Sequence, residues 1–155
     1  MDSILEQLLQ EEHELQFASF NESMAWQIGS QLVERARNEG LPITIDITRG
    51  AHQLFHASMP GTSVDNDEWI KRKRRTVYRF GHSSLYMGQR LKSKGKSIEE
   101  AYLIPESKYA PHGGCFPILV KNTGMVGTIT VSGLPQEEDH KLVVQAIREY
   151  LVQDK

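Results

Sequence analysis

HGGCFPILVKNTGMVGTITVSGLPQEEDH, residues His112 to His140, carries a loop, a hairpin and a helix start in one run. Phe116, Ile118 and Val120 alternate with other residues, and Met125, Gly127, Ile129 and Val131 repeat the alternation after Asn122-Thr123-Gly124. Two apolar period-two runs around a short Asn/Gly-containing break predict paired antiparallel strands. Glycine-rich corners flank them: His112-Gly113-Gly114 before, Ser132-Gly133 after. Such corners turn the chain sharply, and they also let backbone amides face a ligand.

The same reading extends to the rest of the chain. Ile4, Leu5, Leu8 and Leu9 sit at helical spacing between Ser3 and His13, opposite glutamates and glutamines. A short strand is expected in Leu15 to Phe20, and Asn21 caps a helix whose apolar stripe is Ala25, Ile28, Gly29, Leu32 and Ala36, ended by Gly40 and Pro42. Ile43, Ile45 and Ile47 alternate with Thr44, Asp46 and Thr48 as a strand, and Arg49-Gly50 turns it into a second one, Gln53 to Met59. A long helix is predicted to open at Asp65, with Glu68 completing a capping box. Trp69, Thr76, Phe80 and Met87 mark one side of it, and Val77, Gly81, Ser84 and Gly88 form a small-residue line with a bend at Gly81. Ala101 to Ile104 is read as a brief extended segment, and a closing helix starts near Pro135. Two hairpins with helices around them give an α+β class with a mainly antiparallel sheet of about five strands.

Size and charge narrow the functions. The 155 residues, 39% of them hydrophobic, suit a single domain spanning 1–155. Eighteen basic against twenty acidic side chains leave a net charge of -2, without the overall positive field that gathers nucleic acid or anionic membrane. No window approaches the roughly 20 apolar residues of a transmembrane helix, and the acidic start MDSILEQLLQEEHELQ has no secretory pattern. The single cysteine, Cys115, excludes an internal disulfide, so the expected location is the cytoplasm.

GGCFPI, the turn, GMVGTITVSG and the acidic pair opening the last helix together resemble the signature of the HbpS-like (GlcG-like) haem-degrading-domain family. NDEWIKRKRRTVYRFGHSSLYMG, with HGG and SGLPQEEDH, resembles its functionally uncharacterised branch found in bacteria and yeasts. The resemblance covers most of the chain. It implies a profilin-like or PAS-like fold, self-association into a homo-oligomer, and haem as a ligand of some relatives.

The residues themselves offer several chemistries. His112 with Gly113 and Gly114 can present an imidazole and converging amides to an anion or carboxylate. Lys71 to Arg75 is an unbroken cationic run followed by Arg79. Arg72, Arg75 and Arg79 share a helical side, available to carboxylates or phosphates, although a solvated face paired with acids explains them as well. His82 and the hydroxyls after it can line a cavity opposite the glycine corner. His52 and His56 have even spacing in a strand but no further ligand pattern, so no metal site is expected. Cys115 reads as a small buried thiol.

The leading expectation is an oligomeric small-molecule-binding protein whose ligand, a small anion or haem, meets His112, Gly113, Gly114, Arg75, Arg79 and His82. That requires the glycine corner to lie against the arginine-bearing middle of the long helix, within one chain or across two. An enzyme acting on haem or a small carboxylate is the alternative, with His112, His82 or Asp46 as base, but no spacing joins two of them into a catalytic pair. An oligomeric interaction protein without a substrate is the third.

Overall fold

The computed structural model describes residues 3–153. In chain order the elements are α1 (Ser3–Glu14), β1 (Gln16–Phe17), α2 (Glu22–Glu39), β2 (Thr44–Arg49), β3 (His52–Ser58), α3 (Val64–Phe80), α4 (Ser84–Lys94), α5 (Ile98–Tyr102), β4 (Cys115–Val120), β5 (Gly124–Ser132) and α6 (Gln136–Gln153). The five strands form one sheet in the order β1-β4-β5-β2-β3. Both hairpins form, and β2 joins them by pairing antiparallel with β5, Ile47 opposite Ile129. The short β1 runs parallel to β4, so the sheet is mixed at that edge. Among the described residues no helix is long and apolar enough to cross a membrane.

The strict alternation of β2 divides two buried faces rather than a buried and a wet one. Ile43, Ile45 and Ile47 join Phe116, Ile118, Ile129 and Val131 in a core sealed by Ala25, Ile28 and Leu32 of α2 and Val143 and Ile147 of α6. On the opposite face Thr44, Asp46, Thr48, Thr128 and Thr130 are buried as well. Here α3 lies across the strands, and hydroxyls satisfy one another: Thr48 Oγ1 lies 2.9 Å from Thr128 Oγ1 and 3.1 Å from the Tyr78 hydroxyl. A polar sheet face is stable under a helix only when such partners are supplied.

The helix over this face departs from the sequence reading in three ways. Its N-cap is Ser63 rather than Asp65, and the reciprocal partner is Asn66 rather than Glu68. It does not bend at Gly81 but ends there: Gly81 takes a left-handed conformation (φ 74°), and Ser83 caps a separate helix, α4, by accepting the Tyr86 amide. Its buried stripe is Ile70, Lys73, Thr76 and Val77, so a lysine from the middle of the cationic run points into the protein. Downstream, Ile98–Tyr102 is a short helix with a Ser97/Glu100 capping box where an extended segment was expected from Ala101 to Ile104.

Candidate functional site

A cleft of about 450 Å³ opens where the first half of α3, the His112 corner, the end of β5 and the start of α6 meet. From α3 it takes Asp65, Asn66, Trp69 and Lys73, from the two corners His112, Ser132, Gly133 and Leu134, and from α6 Gln136 and Asp139. Lys73 reaches it because Ile70, Thr76 and Val77 fix that side of α3 against the sheet.

The floor is an ion pair. Lys73 Nζ lies 3.3 Å from Asp139 Oδ2 and donates to the Val131 carbonyl at 3.3 Å. The carboxylate also accepts the Gly133 and Leu134 amides, at 3.3 and 3.0 Å. Both side chains are almost fully buried, 5% and 2% exposed. Burial pushes the Lys73 ammonium pKa down and the Asp139 carboxyl pKa up; their mutual attraction opposes both shifts without cancelling them.

The two glycines before β4 make room for this arrangement. A side chain at Gly114 (φ 136°) would meet the Val131 carbonyl and the Lys73 ammonium. One at Gly113 would meet the Gln136 carbonyl where α6 begins. The Gly113 amide is already bonded to the Gln136 side chain at 2.9 Å, so the corner presents packing more than free donors.

His112 stands at the rim, its ring edge-on to Trp69 with centroids 5.6 Å apart. Partial burial, then the nearby cations Lys73 and Arg72, lower its pKa, so the imidazole is neutral at pH 7. A second cleft of about 290 Å³ lies on its other side, lined in part by Arg72, Gly88 and Pro111. Gly88 is where the Pro111 carbonyl comes too close for any side chain, so the small-residue line receives a loop of the same chain.

The other sequence candidates face elsewhere. Arg72 donates to the Glu106 carbonyl at 2.7 and 3.0 Å while lying 4.5 Å over the Trp69 ring. Arg75 donates to the Lys108 carbonyl at 2.7 Å, and Arg79 stacks on Phe80 and Tyr109. The shared arginine side thus clamps the segment after α5. His82 pairs with Glu12 at 2.8 Å, holding α1. Asp46 is buried with its oxygens occupied by Gln53, His56 and Arg74. Cys115 is fully buried beside the Thr130 hydroxyl, and burial pushes its thiol up to about 12. Among the described residues no three His, Cys, Asp or Glu side chains cluster as metal ligands. The glycine corner does lie against α3, within one chain, but it meets Trp69 and Lys73 and not Arg75, Arg79 or His82.

Lys73 and Asp139 escaped the sequence reading, the first inside a run of five cations, the second inside an acidic helix start. The signal for Lys73 was its phase: Ile70 and Val77 lie three before and four after it.

Residues 20–148 match the family described as "Haem degrading protein HbpS-like". The chain is 48% identical over 145 residues to the UPF0303 protein SCO2848 of Streptomyces coelicolor, covering 94% of this chain and 92% of the relative. The solved structure of the Ybr137w protein matches with a TM-score of 0.90 at 33% identity, over 97% of this chain and 88% of that one. A PduOC:Heme complex matches with a TM-score of 0.69 at 20% identity, over 84% and 94%, a likeness of fold.

Proposed function

The chain belongs to the HbpS-like family, and from that premise we propose that it is a small-molecule-binding protein whose ligand occupies the cleft between His112, Trp69 and the Lys73–Asp139 floor. The floor carries this reading. Two buried charges gain little net stability over an apolar pair of the same volume, so their presence beneath an open cleft favours a role toward a ligand. The walls suit a compact polar molecule. Asp65, Asn66, Ser132 and Gln136 supply donors and acceptors, Trp69 supplies a flat apolar side, and the Lys73 charge is balanced by Asp139.

Haem is the second reading, favoured by the family description, by the haem in the PduOC relative's name and by His112. That imidazole fits an axial donor: it is neutral, half-exposed, and makes no side-chain hydrogen bond among the described residues. The walls do not fit. Only Trp69 and Leu134 are apolar, so a macrocycle inside this cleft would bury polar groups against its face, at about 1–3 kcal/mol for each one left unpaired. No haem-dependent step is therefore assigned to one chain. Titration with haemin is expected to give no saturable one-to-one Soret shift that His112→Ala removes; such a shift would establish haem and displace the compact ligand.

Self-association and a cytoplasmic location belong to the same proposal. Support comes from the exposed Trp26, 66% accessible beside Phe55, and from a lone buried cysteine suited to a reducing compartment. A native mass spectrum of the protein from its own source is the direct test. We expect more than one chain per particle and a bound compound far smaller than haem; a ligand-free monomer would defeat both points.

A further inference from the structure

We propose that Lys73 is a carbonyl-reactive amine that forms an imine with a small hydroxylated aldehyde or ketone in the cleft. The inference rests on the ligand cleft of the preceding reading and adds a covalent step to it.

Three observations converge on the amine. Lys73 lines the cleft although its side chain is only 5% exposed, so a compact molecule entering past His112 meets it with little water present. Asp139 Oδ2, at 3.3 Å, is placed to exchange protons with it. Gly114 has no side chain where one would collide with the ammonium, so the nitrogen can sit against backbone at this corner. Burial adds to this by favouring the uncharged amine, the form that attacks carbonyls. The five-cation run shows the contrast: Lys71, two residues away, is 54% exposed and paired with Glu68 at 2.9 Å.

The step balances without a further reactant. The neutral amine's lone pair forms the C–N bond while Asp139 takes one nitrogen proton and passes it to the carbonyl oxygen, giving a neutral carbinolamine. Asp139 then accepts the second nitrogen proton and delivers it to the departing hydroxyl. The C–O bond breaks, water leaves, and a C=N bond joins Lys73 to the substrate carbon. Asp65, Asn66, Ser132 and Gln136 give the substrate's hydroxyls their partners, which sets the class as hydroxylated rather than purely apolar carbonyls. An imine at this position makes the adjacent C–H bonds acidic, the requirement for isomerising or cleaving such compounds.

The test is reductive trapping of the full chain with limiting glyceraldehyde and cyanoborohydride at pH 7, with peptide mapping of every lysine. Lys73 is expected to be labelled faster than Lys71, by about tenfold or more, because burial favours its uncharged amine. Lys73→Arg, verified as folded by circular dichroism, should lose that fast site and keep slow labelling elsewhere. Ligand-observed NMR with glyceraldehyde but no reductant separates the failures. Binding that Trp69→Ala weakens, with Lys73 labelled no faster than Lys71, would overturn the amine chemistry and leave the cleft. Absence of both binding and fast labelling would overturn the inference together with its hydroxylated-carbonyl ligand, while the bound compound in the native mass spectrum judges the cleft on its own.

Discussion

Asp139→Ala is expected to lower the unfolding free energy by about 3–5 kcal/mol, the cost of leaving a buried charge without its partner. Against a total of about 5–15 kcal/mol for a domain of this kind, that is enough to leave part of the protein unfolded. The effect has two sources. Lys73 loses the carboxylate at 3.3 Å, and the Gly133 and Leu134 amides lose their acceptor. Lys73→Met removes the other partner and should be milder below neutral pH, because Asp139, its pKa already raised by burial, can take up a proton. The sign is defined: a carboxyl with a folded pKa above its unfolded value of 3.8 contributes stability below that value and loses it as pH rises through the folded one. Lys73→Met should therefore weaken steadily with rising pH. Lys73→Met with Asp139→Asn, which keeps an acceptor for the Leu134 amide, should recover most of the loss. Urea unfolding of the four proteins at pH 5 and 8 measures this, and an Asp139→Ala loss under 1 kcal/mol would show the floor to be solvated.

Gly114→Ala is expected to be as damaging, at about 3 kcal/mol or more, although it adds a single methyl group. Its backbone lies at φ 136°, a region side chains rarely adopt, and the methyl would press on the Val131 carbonyl and the Lys73 ammonium. Gly81→Ala serves as the control. It has a similar positive φ, 74°, but open space around it, so about 1 kcal/mol is expected. Thermal unfolding of the two variants compares strain plus collision with strain alone. Equal losses would mean that the corner yields and that the Lys73 pocket is softer than the geometry requires.

Much of the architecture was legible because it rests on period and punctuation. The Ile43-Ile45-Ile47 alternation, the hairpin after Cys115, the Asn21 cap and the Gly40 stop each depend on local chemistry, and each appears where that chemistry puts it. What local pattern could not show was what covers the second face of the sheet. Thr44, Asp46 and Thr48 look like a solvent face, and only tertiary packing of α3 buries them. The parallel pairing of β1 is equally non-local, a two-residue strand meeting a partner a hundred positions later. The break at Gly81 could have been read from Ser83, a good cap with Gly two residues before it. The site was partly legible: the glycine corner drew attention, but the residues behind it were hidden by their charged neighbours. Lys73 among cations and Asp139 among acids look like surface until neighbouring apolar residues at helical spacing are weighed with them.

The pairing of β2 with β5 has a consequence for synthesis. The first hairpin, β2–β3, finds its sheet neighbour only after the last strand has been made, more than seventy residues later. A ribosome adding about 5–20 residues each second keeps that hairpin waiting for several seconds, its isoleucines without the β4, β5 and α6 residues that complete their core. Such long-range closure slows folding and leaves the young chain open to wrong partners. Slowing translation ahead of β4 would lengthen that interval and should leave more of the product in inclusion bodies.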